Sequence, residues 1–250
     1  MSIDWREKLR GSGYRLTPQR ELILDAVDTL GHATPDGVRA LVHFVRDEII
    51  APTKLDVKID WHGHRDRGNG LANCMAAIEA GADRIHGTAL GIGERVGNAE
   101  MDLLLINLRL LGVHKHDLRK LPEYTALVSR ALGVPIPASY PVFGEDAFRT
   151  ATGVHAAAIA KAHKKGDAWL ADRIYSGVPA GDFGLSQRID VGHVSGISNV
   201  RSWLDAHGYD GNDDQLCRHI LDAAKKATRT LRDDELSALV GEHRRQTVTA

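Results

Sequence analysis

From Thr34 to Leu111 the hydrophobic pattern alternates between the 3.6-residue period of a helix and the two-residue period of a strand. Few layered folds accept such a chain. Residues 34–50 open with Thr34 as a cap and Pro35 in the first turn, and Val38, Leu41, Val42, Val45 and Ile49 recur on one side. Next, Leu55, Val57, Ile59 and Trp61 alternate with Asp56, Lys58 and Asp60, which predicts a strand ending at His62 and His64. After a turn at Gly68 to Gly70, residues Leu71, Cys74, Met75 and Ile78 mark a second helix that Gly81 terminates. A short strand through Asp83 to Thr88, a glycine-rich loop from Gly91 to Gly97 and an apolar helix from Glu100 to Leu111 complete the series. Such alternation builds a parallel sheet with right-handed crossovers, either open or closed into a barrel, and the pattern alone favours neither.

After Gly112 the alternation stops. Residues 116–132, 145–165, 198–206, 213–229 and 233–243 read as helices, Val134 to Phe143 as a proline-punctuated connection, and Gln187 to Val191 as a short strand. The 32 basic and 33 acidic side chains nearly cancel and no basic block stands out, which argues against a nucleic-acid or membrane surface and leaves small molecules as the expected partners. Cys74 and Cys217 are the two cysteines and have no paired spacing, so neither a disulfide framework nor a thiolate metal site is expected. The N-terminus lacks an apolar signal core and no apolar run reaches the length of a membrane span, so a cytoplasmic location is expected.

His62 and His64 stand two apart at the end of a strand, so both imidazoles project from one face and can grip one ion. The alternative is two polar residues on a half-exposed strand. In parallel α/β folds ligands gather at the carboxyl ends of strands, where this pair lies. A further ligand is expected from the loop after the neighbouring strand, Leu90 to Asn98. That loop offers Asn98 as an oxygen donor, with Glu94 or Arg95 in support; its glycine spacing fits neither a dinucleotide fingerprint nor a P-loop, and taken alone it also reads as an ordinary turn. Imidazoles with oxygen donors suit a divalent ion, zinc or manganese, or magnesium if water fills much of the shell.

The run HGHRDRGNGLAN, followed by EAGADRIHGTALGIGERVGN, resembles the later barrel strands of the 2-isopropylmalate synthase and homocitrate synthase family, which includes 3-hydroxy-3-methylglutaryl-CoA lyase. The resemblance extends upstream through Asp28 to Pro35 and downstream through Phe143 to Phe148 and Gly153 to His155, as far as YSGVPAGDFG and VGHVSGISNV, covering about residues 28–240. It implies an α/β fold, a partial (β/α)8 TIM-type barrel holding the last strands only, followed by a mostly helical subdomain. It also implies an acyltransferase that condenses acetyl-CoA with a 2-oxo acid at a divalent metal, as in leucine biosynthesis. By the same resemblance His62, His64 and Asn98 are metal ligands, Thr29 lies near the oxo acid, and Asp66 supports the site, to which the loop reading adds Glu94. His155 and Tyr175 match the catalytic histidine and tyrosine that reach a partner subunit's active site, which makes a homo-oligomer the expected assembly. Arg65 departs from the asparagine usual at its position.

The family also takes a metal-binding aspartate, an arginine and an acid/base glutamate from its first strands, and nothing in this sequence matches them. A closed barrel needs eight strands and about 250 residues of its own. Residues 1–30 instead resemble the opening of a ferric uptake regulator family repressor, with Thr17 capping a helix and Pro18 in its first turn. Three regions are therefore expected: a repressor-like helical segment over 1–30, a partial metal-binding barrel over 31–112 and a helical subdomain over 113–243. The stretch Leu30 to Asp36 suits either parent, which points to a chimera, natural or from sequence assembly. The preferred reading is an acyltransferase impaired by the lost strands. The alternatives are a non-catalytic fusion or fragment, and a DNA-binding regulator acting through the N-terminal segment. The recognition helix and wing of the repressors are absent, so no retention on DNA is expected even at low ionic strength. Salt-dependent retention on a DNA column would favour the regulator.

Overall fold

Strand β2, Lys58–Gly63, runs between two parallel neighbours, β1 (Ile23–Asp28) and β3 (Arg84–Ile85), in the order β1-β2-β3. The computed structural model describes residues 23–248. The helix start expected at Thr17 and Pro18 lies outside them.

Parallel neighbours need a crossover, and each is helical here. Helix α1, Pro35–Phe44, follows β1; the Thr34 hydroxyl caps it by accepting from the Gly37 N–H at 3.2 Å, and Pro35 sits at its start. A π-helical turn, Val45–Ile50, extends it before β2. Helix α2, Gly70–Glu79, joins β2 to β3 and ends where Gly81 adopts φ +95°. Helix α3, Met101–Leu110, follows β3 and the glycine loop. The core gathers Val38 and Val42 of α1, Ile59 and Trp61 of β2, Cys74, Ala76 and Ala77 of α2 and Leu104 of α3. Ile59 and Trp61 therefore face the helices, and the strand pleat sends Asp60 and His62 to the opposite face. Burial pushes the Cys74 thiol up to about 12, which marks it as a packing group rather than a nucleophile.

The sequence-based boundaries move in several places, and the strand expected through Asp83 to Thr88 is confined to Arg84–Ile85. Residues 23–28, expected as the end of a helical segment, form β1 and pair in register with β2 from Ile23↔Lys58 to Asp28↔Gly63. A short apolar run such as Ile-Leu-Asp-Ala-Val has no decisive period, and the ladder offered by β2 decides it. Strand β2 begins at Lys58 rather than Leu55, because Lys54 takes the left-handed conformation at the end of the preceding turn. The helix expected from 116 begins at Leu121, as α4 (Leu121–Leu132). The helix expected from 145 begins at Gly153, and Arg149–Thr150 before it is a strand.

The chain divides into two compact units, one ending at His116 and taking in Thr125–Val134, the other made of Asp117–Tyr124 and the chain from Pro135 onward. In the second unit β4 (Arg149–Thr150) pairs in parallel with β5 (Arg188–Ile189). Their junction is fixed by buried polar groups. Asp190 accepts from Arg149 Nε at 2.6 Å and Arg188 Nε at 3.0 Å. The Ser195 hydroxyl and the Asn199 carboxamide both donate to the Ala151 carbonyl, at 2.7 and 3.0 Å. Around them lie helices α5 (Gly153–Lys164), α6 (Ala168–Ala171), α7 (Ile197–Ala206), α8 (Asp214–Lys226) and α9 (Asp233–Val248). The amphipathic α8 buries Leu216, Cys217, Ile220 and Ala224 against Val200, Trp203 and Leu204 of α7 and Leu236 and Val240 of α9. Among the described residues, no helix is long and apolar enough to cross a membrane.

The start of α9 carries a carboxylate with a displaced titration. Two Arg229 N–H groups donate to Glu235 at 2.8 and 2.7 Å and the Arg232 backbone N–H adds a third bond at 2.8 Å, holding its carboxyl down at about 2 against an ordinary 4.5. Because the folded value is the lower one, the contribution to stability is fully present above about 4.5 and is lost as the pH falls toward 2. Glu235→Gln is expected to lower the urea midpoint at neutral pH, with the deficit closing on acidification. A pH-independent deficit would contradict this.

Candidate functional site

The carboxyl ends of β1, β2 and β3 release three loops, and these are tied together largely through backbone groups. The first is shaped by Asp28, which is buried and accepts from the backbone N–H of His32 at 3.2 Å and of Ala33 at 3.0 Å. The Asp28 carbonyl accepts from the His64 N–H at 3.2 Å, and Gly31 from the Arg67 N–H at 3.1 Å, which joins the first loop to the second. The second is joined to the third by Arg65, whose backbone N–H donates to Gly97 at 3.2 Å and whose Nε donates to the Val96 carbonyl at 2.8 Å. The Arg65 guanidinium also pairs with Glu100.

Arg95 connects all three loops. From the third it donates Nε to Asp66 at 2.7 Å and Nη2 to the carbonyl of Thr29 at 2.7 Å. The guanidinium holds the Asp66 carboxyl below the usual carboxylate range. Arg95 itself has φ +58°, as does Leu90, whose N–H is fixed by the buried Asp102 carboxylate at 2.6 Å. Left-handed backbone is uncommon for residues with side chains. The loop expected as glycine-rich and turn-like is thus held in a specific shape at both ends.

The expected ligands come together at the second and third loops. His64 pairs with Asn98 through an antiparallel bridge, and the His62 and His64 rings lie 5.4 Å apart, edge to face. His64 Nδ1 and Asn98 Oδ1 are both buried and have no hydrogen-bond partner. A buried polar atom left unpaired costs about 1–3 kcal/mol, so two of them on paired residues call for an explanation. With its proton on Nε2, His64 presents a lone pair at Nδ1, and Asn98 presents another at Oδ1. The donor set, imidazole nitrogen with carboxamide oxygen, fits a divalent cation. Among the described residues, no group of three or more His, Cys, Asp or Glu is gathered for a metal.

The supporting residues are less uniform. Asp66 is engaged by Arg95, while Glu94 stands 81% exposed with its carboxylate 3.9 Å from that guanidinium. Thr29 is exposed on the first loop. In the second unit His155, near the start of α5, stacks on Tyr175 with ring centroids 4.1 Å apart. Two neighbours escaped the sequence reading. Asp60 is buried on the same face of β2 as His62, and His86 follows the end of β3 with its ring 5.5 Å from that of His62. The alternation that exposed the strand also puts Asp60 on the histidine side, but finding His86 needed the register between strands.

Residues 22–128 match the family model described as HMGL-like. This part of the chain is HMGL-like. The matched span includes all three strands of the sheet and starts before β1, earlier than the resemblance read from the sequence. A protein from Methanopyrus kandleri named "Probable 2-isopropylmalate synthase" is 33% identical over 191 residues, covering 76% of this chain and 35% of that protein. Homocitrate synthase AksA from Methanothermobacter thermautotrophicus is 31% identical over 203 residues, covering 80% of this chain and 47% of that one. A solved HMG-CoA lyase from Acenitobacter baumannii, in complex with coenzyme A and 3-methylmalate, is 27% identical with a TM-score of 0.38, covering 46% of this chain and 38% of its own. The chain is thus similar to these synthases and spans between a third and a half of their length.

The tightest point of the site is Gly97, at φ +103°, where an added Cβ would collide with the carbonyl of Gly91. That same carbonyl accepts the Asn98 N–H at 3.0 Å. Gly97→Ala is expected to destabilise the fold by roughly 1–3 kcal/mol through backbone strain and to speed hydrogen exchange at the Asn98 amide. Unchanged exchange at Asn98 would show that the loop does not depend on this approach.

Proposed function

We propose that His62, His64 and Asn98 hold a divalent cation at which a 2-oxo acid is bound for condensation with acetyl-CoA, the chemistry of a 2-isopropylmalate synthase-like acyltransferase. The observation that carries this reading is the pair of buried, unpartnered atoms, His64 Nδ1 and Asn98 Oδ1, on residues joined by a bridge. One cation would satisfy both. Its relatives' names, 2-isopropylmalate synthase and homocitrate synthase, support the reaction class.

When bound, the divalent ion supplies Lewis acidity, polarising the ketone and offsetting the charge that builds on its oxygen as the carbon–carbon bond forms. The chain's own residues supply position and proton handling. The three tied loops hold His62, His64 and Asn98 at the carboxyl end of the sheet, and Arg95 keeps Thr29 on the first loop aligned with Asp66 on the second. Thr29 contacts the oxo acid. His155 and Tyr175, stacked together, exchange protons with substrate in the site of a second copy, so the active assembly is a homo-oligomer. The two imidazoles and one carboxamide are joined by no carboxylate among the described residues, so a full coordination sphere is not built from them. For this set of ligands taken alone, the reading is weak metal affinity and low turnover.

Equilibrium dialysis against Mn2+ or Zn2+ is expected to reveal a site that His64→Ala weakens by more than about 100-fold, beyond the range of an indirect effect. Release of free CoA from acetyl-CoA, assayed with a panel of 2-oxo acids, is expected to be metal-dependent and slow. Binding unaffected by His64→Ala would refute the metal site. Robust turnover would refute the impairment.

A further inference from the structure

Below the proposed ligands, the polar face of the sheet carries a connected set of side chains that the acyl-transfer chemistry does not use. The register pairs Asp60 with Arg84 and Trp61 with Ile85, so the next residues along, His62 and His86, stand opposite each other. The Asp60 side chain is only 6% exposed and binds two partners, Arg84 Nε at 2.8 Å and His86 Nε2 at 3.3 Å. With its Nε2–H committed to that carboxylate, the His86 ring has its orientation set. It lies against His62 at 5.5 Å between centroids with the ring planes 62° apart, and His62 in turn lies edge to face with His64. Three imidazoles therefore form a file, anchored at one end by a buried carboxylate and ending at the other in the unpartnered Nδ1 of His64.

We infer that His86, oriented by Asp60, is a positioning residue for His62 in the divalent-cation site, an inference that rests on the metal reading of His62, His64 and Asn98. The geometry separates this role from two simpler ones. A purely structural partner for Asp60 is already present in Arg84, whose guanidinium makes the shorter bond. A third ligand would gather three histidines around one point, and no such group exists among the described residues. What remains is support of a ligand imidazole by a neighbouring ring that a buried carboxylate orients, an extension of the carboxylate–histidine pairing common around metal-binding imidazoles. His86 does not touch the ion on this reading; it limits the rotamers open to His62 and lowers the entropy lost when the ion binds.

The test uses Co2+ as the probe, followed by its visible absorption bands, on the full chain. His86→Ala is expected to weaken Co2+ binding by about 10- to 100-fold and to shift the bands, while the thermal unfolding midpoint of the metal-free protein stays near that of the parent. Asp60→Asn is expected to act in the same direction. His86→Gln keeps a donor for Asp60 and a planar group against His62, and is expected to retain most of the affinity. Parental affinity and spectrum in His86→Ala would overturn the inference, as would equal losses in His86→Ala and His86→Gln. Should His86→Ala fail to fold, Asp60→Asn and His86→Gln carry the decision by the same readouts. Absence of Co2+ binding by the parent chain would instead remove the metal reading itself, a result distinct from failure of His86 to matter.

Discussion

The pleat of one strand governs the first unit. Because alternate side chains of β2 leave on opposite faces, seating Ile59 and Trp61 among α1 and α2 obliges Asp60, His62 and His64 to occupy the other side. A slip of one residue would exchange the two sets, burying the histidines under helices and presenting an indole to the site. The burial of Trp61 and Ile59, each 0% exposed, is therefore also what aims the imidazoles. Packing energy and chemistry are set by the same register, so substitutions in the apolar core are felt at the site without touching it.

The two units solve a shared problem by similar means. A parallel sheet of two or three strands leaves its loops with few ladder bonds, and both units stabilise them with buried polar side chains that bind backbone. In the first, Asp28 accepts the N–H groups of His32 and Ala33, and Asp102 accepts that of Leu90. In the second, Ser195 and Asn199 bind the Ala151 carbonyl while Asp190 secures an arginine from each strand. Satisfied networks of this kind are rigid, and a missing member leaves its partners buried without compensation.

The parts of this molecule that were legible in its sequence are those specified by local pattern. The strict alternation through Trp61 announced β2, and with it the shared face of His62 and His64. Thr34 and Pro35 announced α1, and Gly81 the end of α2. What was not legible depends on a neighbour. Ile23–Asp28 became a strand because β2 offers it a ladder, and nothing within those residues distinguishes that outcome from a helix turn. His86 joined the site through pairing between β2 and β3, which no spacing within one segment reveals. Glu94 shows the converse, since a plausible carboxylate in the right loop lies in solvent beside Arg95. Asn98 could be read from its loop, but the reason it is held close to His64, the tight passage of Gly97 past Gly91, required coordinates.

Arg95 reaches Thr29 through the main-chain carbonyl and Asp66 through a side chain. The distinction matters for divergence. Any residue at position 29 has that carbonyl, so the alignment of the first loop with the other two is indifferent to the side chain carried there. Position 66 has no such latitude, because the carboxylate is itself the tie. A lineage bearing this scaffold is thus able to trade residues at position 29 while its loops keep their register; the same freedom does not extend to position 66, at the neighbouring strand end.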